Sequence, residues 1–158
     1  MVKYRKVCVG GTFDVLHRGH MKLIEEACQV SDHLVICVTT SEFASRFKRR
    51  VVRAFEDRIR DLLNFLKENG LVNKVSILPT EDIYGATLID PEIEAIVVTA
   101  ESLKRGFEVN LECWRRGMRL LDIVVVPMVK AEDGKPISAS RILKGEIDRE
   151  GRIVKCLR

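Results

Sequence analysis

Short apolar runs alternate with stretches of helical periodicity along this chain, and that alternation constrains the fold more than any other feature. Five runs read as strands: residues 3–9, Leu34–Val38, Val75–Leu78, Ala95–Thr99 and Ile123–Val126. Leu34–Val38 has no polar position, which marks a strand buried on both faces. Between them, Met21, Leu23, Ile24, Ala27 and Cys28 recur at helical spacing and predict a helix over Arg18–Val30. Phe55–Asn69 is a second amphipathic helix, with Ile59, Leu62, Leu63 and Leu66 on one face and Asn69-Gly70 as its stop. Leu103–Arg116, closed by Gly117, and Ser138–Lys144, closed by Gly145, complete the helices. The basic stretch Thr39–Ala54 reads as a mobile surface loop with one helical turn, and the tail from Glu146 carries no predicted element. Strands joined through helices demand a parallel sheet covered on both sides. The expectation is therefore an α/β, three-layer Rossmann-like domain with a five-stranded parallel sheet, one domain across residues 1–158, with ligands beyond the carboxyl ends of the strands.

Composition narrows the function classes. Of 158 residues, 46% are apolar and 32% charged, and 27 basic against 23 acidic side chains leave a net charge of +4. That excess, without a basic run or arginine-rich tail, argues against a nucleic-acid partner and suits a small anionic ligand. No apolar run reaches the ~18 residues of a membrane span, and no signal-peptide core opens the chain. The five cysteines form no CxxC pair. Cys8 and Cys37 lie inside apolar strands, so reduced thiols and a cytoplasmic location are expected.

Two segments carry the chemistry. The first, Gly10-Gly11-Thr12-Phe13-Asp14-Val15-Leu16-His17-Arg18-Gly19-His20, leaves a strand and enters a helix. Gly10 and Gly11 let the backbone approach a phosphate, and free amides at the helix start favour an anion. His17 and His20 share one face of the first turn, and Thr12 adds a hydroxyl. Half a metal site is the competing reading of the two histidines, but His33 is the only other one and no cysteine cluster supplies further ligands. The second segment runs from Ala131 to Gly145. Ser138 is its predicted helix N-cap, with Ser140 and Arg141 in the first turn. On its own it reads equally well as a capped surface helix.

With these residues in view, the chain resembles the HxGH nucleotidyltransferase superfamily, and Ile137-Ser-Ala-Ser-Arg141 resembles that superfamily's second motif, with Ala139 and Ser140 replacing a serine and a threonine. Thr40-Ser41-Glu42-Phe43, Phe55-Glu-Asp-Arg58, Tyr84-Gly85, Thr99-Ala-Glu-Ser102, Asn110 with Arg115, and Gly145-Glu-Ile-Asp148 extend the likeness to the archaeal phosphopantetheine adenylyltransferases. The resemblance implies transfer of adenylate from MgATP to 4′-phosphopantetheine, with Mg2+ carried on the ATP phosphates and no protein-borne metal site. It implies that His20 and His17 contact the ATP phosphates, that Lys48 bridges the α-phosphate and the acceptor, and that Thr12 orients the acceptor phosphate beside Gly10, Gly11 and Phe13. It also implies that Ser138, Ser140 and Arg141 hold the outer phosphates and that Glu101 and Arg105 approach the adenosine. Arg46, Arg49 and Arg50 compete with Lys48 for its role, and Asp14 reads as structural. The alternatives are a cytidylyltransferase acting on a small alcohol phosphate and a catalytically silent nucleotide-binding regulator. Whether the chain works as a monomer or a homo-oligomer is not fixed by the sequence.

Overall fold

The computed structural model describes residues 3–155, so Cys156 lies outside the described residues. The strands are β1 (Tyr4–Gly11), β2 (Ser31–Thr39), β3 (Val75–Thr80), β4 (Ala95–Thr99) and β5 (Asp122–Val126). They form one parallel sheet in the order β3-β2-β1-β4-β5. The helices are α1 (Arg18–Gln29), α2 (Ser41–Lys48), α3 (Phe55–Glu68), α4 (Leu103–Arg115) and α5 (Ala139–Leu143). The expected α/β, Rossmann-like architecture is present.

Alternation along the strands builds the layers. Val7 and Val9, Leu34, Ile36 and Val38, and Ala95 and Val97 face one side, against Leu23, Ile24 and Ala27 of α1 and Leu62, Phe65 and Leu66 of α3. Cys8, Val35, Cys37, Ile96 and Val98 face the other, against Val109 and Cys113 of α4. Most of these side chains are almost fully buried, each worth roughly 1.5–3 kcal/mol of apolar transfer. The order reverses between β1 and β4, where two strands diverge to either side and leave a crevice at their carboxyl ends.

Three expectations change. Thr39–Ala54 is not a loop with one turn: it contains α2, a helix of eight residues. Thr40 Oγ1 accepts from Phe43 N at 3.3 Å, Phe43 and Phe47 stack one turn apart, and Ala44 is buried. These contacts outweigh the basic composition. Arg49 then ends the helix in the left-handed region, at φ 54°. β3 runs on through Pro79 to Thr80, which is tolerated because β3 is an edge strand and a proline there removes no ladder bond on its open side. The tail also has structure. Ile147 pairs with Ile153 in an antiparallel bridge and packs with Ala131 and Ile137 in a small core of its own. Arg18 N donates to Arg149 O at 2.9 Å, which ties this tail, and the second motif packed on it, to the start of α1.

Gly85 gives a stability prediction. Its φ is +57°, and a Cβ there would lie 2.8 Å from Cys37 Sγ in the sheet. Gly85→Ala is expected to lower the urea-unfolding free energy by about 1–3 kcal/mol, measured from the shift in midpoint at constant slope.

Candidate active site

The spacing of His17 and His20 matches the N-cap and third position of a helix, and the two rings form a reciprocal capping box. His17 is the N-cap of α1, with extended backbone. Its Nδ1 accepts from Gly19 N at 3.0 Å, and His20 Nδ1 accepts from His17 N at 3.3 Å. A neutral imidazole that accepts at Nδ1 carries its proton on Nε2. Each ring is thus left with Nε2–H as its donor. The rings stack with centroids 3.8 Å apart. Burial pushes His17 down to about 4. Burial, then the neighbouring His17 and Lys48 charges, push His20 down to about 3. Both are neutral hydrogen-bond donors at physiological pH.

The loop before them is held from behind. Phe13 has φ 52°, its ring is buried, and it lies 5.0 Å from the His20 ring. A side chain at Gly11 would put a Cβ 2.9 Å from that ring, so Gly11 makes room for Phe13 to buttress His20. Thr39 Oγ1 donates to Thr12 Oγ1 at 3.1 Å, which leaves the Thr12 proton available to a ligand. Arg58, fully buried, donates from Nη1 to Thr12 O at 2.7 Å and from Nε to Arg53 O at 3.0 Å. Its Nη2 is the one buried side-chain nitrogen or oxygen among the described residues without a partner. Asp14, also buried, accepts from Arg50 Nη1 at 2.6 Å and from Arg53 N at 3.0 Å. Burial raises its carboxyl pKa, but these donors prevail and hold it below the ordinary range.

Two cavities open at the carboxyl ends of the strands. The first, about 440 Å3, is lined by Gly10, Gly11, Thr12, Phe13, His17 and His20 from the first motif and by Ser138, Ala139 and Ser140 from the second. Lys48, Arg50, Thr99, Glu101 and the Pro127–Val129 segment close it. The second, about 230 Å3, is lined by Cys8, Cys37, Phe43, Phe47, Ile83, Tyr84 and Arg105 among others. Thr12 and Lys48 line both, so the cavities meet where the notable hydroxyl and the lysine stand. Ser138 Oγ caps α5, accepting from Arg141 N at 3.3 Å.

Two expected residues sit elsewhere. Arg141 is turned onto Asp133, Glu146 at 3.0 Å and Pro136 O at 3.1 Å, and it lines neither cavity; its acidic neighbours in sequence hold it. Arg105 pairs with Glu108 at 3.1 Å, lies over the Phe47 ring and belongs to the second cavity, not to the one beside Glu101. The structure adds Thr39, Arg53, Phe47 and Ile83. The clue to Phe47 was its spacing from Phe43 on α2; the arginine contacts with Asp14 span too much chain to leave a local signal. Among the described residues no group of three or more His, Cys, Asp or Glu side chains is placed to hold a metal ion. The acidic residues on the first cavity's wall are Asp14, engaged by its arginines, and Glu101. No helix among the described residues is long and apolar enough to cross a membrane.

Comparison with known proteins follows the same lines. Residues 8–145 match the cytidylyltransferase-like family model. The phosphopantetheine adenylyltransferase of Methanopyrus kandleri is 45% identical, covering 94% of each chain. That of Methanothermobacter thermautotrophicus is 40% identical over 99% of this chain and 93% of its own. Among solved structures, an Archaeoglobus fulgidus protein of unknown function superposes with TM-score 0.69 at 31% identity, covering 77% of this chain and 88% of that one. A pantoate-beta-alanine ligase from Francisella tularensis, at 15% identity and TM-score 0.60 over 89% of this chain and 65% of its own, shares the fold.

Proposed function

We propose that this chain, which belongs to the cytidylyltransferase-like family and, within it, to the phosphopantetheine adenylyltransferases, transfers adenylate from ATP to 4′-phosphopantetheine. The products are dephospho-coenzyme A and pyrophosphate. One observation carries the reading: two motifs over a hundred positions apart line a single cavity, and that cavity meets a second one at Thr12 and Lys48.

The residues suit a reaction that needs no enzyme nucleophile. An oxygen of the acceptor phosphate attacks the α-phosphorus, the bond from that phosphorus to the pyrophosphate oxygen breaks, and pyrophosphate leaves. Catalysis then rests on positioning and on neutralising the charge that spreads over the transferred group. The Nε2–H groups of His20 and His17 donate to the α-phosphate and its neighbours. Ser138, Ser140 and the Ala139 amide hold the outer phosphates, Glu101 faces the nucleoside end, and Thr12 orients the acceptor phosphate. Lys48, at the junction, bridges acceptor and α-phosphate. Arg141 holds the second motif in shape through Asp133 and Glu146, and Arg105 faces the acceptor. The mixed wall of the second cavity, with Phe43, Phe47 and Tyr84 beside polar groups, suits the long, partly apolar arm of phosphopantetheine. Mg2+ carried in with ATP would neutralise part of the triphosphate charge, and Glu101 is the carboxylate on the first cavity's wall that is not taken up by arginines. The four described cysteines are free thiols, and the proposed compartment is the cytoplasm.

The test follows pyrophosphate with 4′-phosphopantetheine and either MgATP or MgCTP. Turnover with ATP at least about tenfold above CTP is expected, a discrimination of about 1.4 kcal/mol or more. Faster turnover with CTP on an alcohol phosphate would move the chain to the cytidylyltransferases. ATP binding without pyrophosphate release under any acceptor would make it a silent regulator.

A further inference from the structure

Lys48 ends α2, and the next residues are clamped to the phosphate-binding loop. Arg49 sits in the left-handed region. Arg50 Nη1 then donates to Asp14 Oδ2 at 2.6 Å, Arg53 N to Asp14 Oδ1 at 3.0 Å and Arg53 Nη1 to Asp14 O at 2.9 Å. The same Arg53 nitrogen reaches Asp61 Oδ2 at 2.8 Å, which anchors the clamp to α3. Val52 between them is buried. Both carboxylate oxygens of Asp14 are therefore spent on the segment that carries Lys48, and both partners lie within five residues of it. Val51, on the outer side of this turn, is 91% exposed; besides the clamp, the segment is held by buried Val52 and by the bonds from Arg58 Nε to Arg53 O at 3.0 Å and from Phe55 N to Ser41 Oγ at 2.9 Å.

We propose that Asp14 and Arg53 are positioning residues: together they latch the segment after α2 onto the loop between β1 and α1 and so fix Lys48 at the junction of the two cavities. The inference rests on the role given to Lys48 above. A lysine has long side-chain freedom, and a rigid base shortens the search for the one pose that reaches both phosphates. Asp14 and Arg53 need touch neither substrate for this.

A double-mutant cycle tests the link. Asp14→Asn and Arg53→Ala are each made alone and with Lys48→Ala, and pyrophosphate release is followed at saturating ATP and 4′-phosphopantetheine. Each single latch variant is expected to lose about tenfold to a hundredfold in kcat, with the Kd for ATP within about threefold of the parent. In the Lys48→Ala background the same changes are expected to cost less than about threefold. Equal losses in both backgrounds overturn the link. A second measurement needs no substrate: trypsin cleavage within residues 46–53 of the intact chain. It is expected to run about tenfold faster in both latch variants than in the parent, while far-ultraviolet circular dichroism stays the same. Unchanged cleavage overturns the latch itself. If Asp14→Asn does not fold, Arg53→Ala, on a side chain that is partly exposed, decides both arms for the Nη1 bonds to Asp14 O and Asp61, and Arg50→Ala with Arg53→Ala decides cleavage for the whole clamp, because the residue-53 backbone N–H stays on Asp14 in either variant. Absence of turnover by the parent would sink the functional reading alone, because cleavage still decides the latch.

Discussion

His20→Ala is expected to lower kcat for pyrophosphate release by about 10²–10³-fold, the usual loss for one preorganised donor to a developing oxyanion. His20 Nδ1 is occupied by His17 N, so the ring presents Nε2–H and cannot turn without breaking the capping box. Phe13 and the stacked His17 ring fix its plane. A donor held this way needs no reorganisation as charge builds on the α-phosphate. The Kd for ATP should move much less than kcat, because the remaining donors still hold the ground state. The variant also loses half of a helix cap, which costs about 1 kcal/mol of stability, too little to unfold an otherwise intact domain. Near-normal turnover by a folded His20→Ala protein would remove the donor from the mechanism.

The second large effect is on stability against acid. His17 titrates at about 4 and His20 at about 3 in the folded chain, against about 6.5 for an unfolded histidine. Both folded values are depressed, so between these limits the unfolded chain binds more protons, and unfolding free energy rises with pH. The full contribution is present above about pH 6.5 and is lost as the pH falls toward about 4 for His17 and about 3 for His20. Between pH values of about 7.5 and 5, buried His17 alone is expected to cost about 2 kcal/mol, with a further loss from the partly exposed His20. Urea unfolding at the two pH values measures it, with His17→Asn as the comparison. Asparagine can still cap the helix but does not titrate, so its pH dependence should be smaller by about the His17 share. Equal slopes for parent and variant would mean that His17 is not held neutral by burial. The same values predict that neither histidine adds an inflection near pH 6.5 to the kcat profile.

Much of this was legible in the chain before any coordinates. Short apolar runs and helical periodicity gave the sheet and three long helices, because a strand buried on both faces and a helix buried on one impose those patterns directly. The histidine pair was legible for a related reason: three-residue spacing after a strand-ending Gly-Gly puts both side chains on one face of the first helical turn, whereas their reciprocal capping was not. α2 was obscured because its signal is local, a Thr40 cap and a Phe43–Phe47 pair, and five basic residues at and beyond its end mask it. Arg141 was expected among phosphates because its position in the motif suits them, whereas Asp133 and Glu146, eight residues before and five after, take its guanidinium. The Asp14 clamp joins positions 36 and 39 residues apart, and no periodicity reports a contact made only when the strand, the helix and the turn have all been placed.

The most direct measurement of a shared triphosphate cavity is nuclear magnetic resonance of the nitrogen-15-labelled protein titrated with a non-hydrolysable ATP analogue and Mg2+. The side-chain Nε2 signals of His17 and His20 and the backbone amides of Ser138 to Ser140 should shift together along one binding curve, with both imidazoles staying in the neutral Nε2–H form. Movement of the histidine signals while the Ser138–Ser140 amides stay still, or two separate binding curves, would mean that the two motifs do not serve one nucleotide.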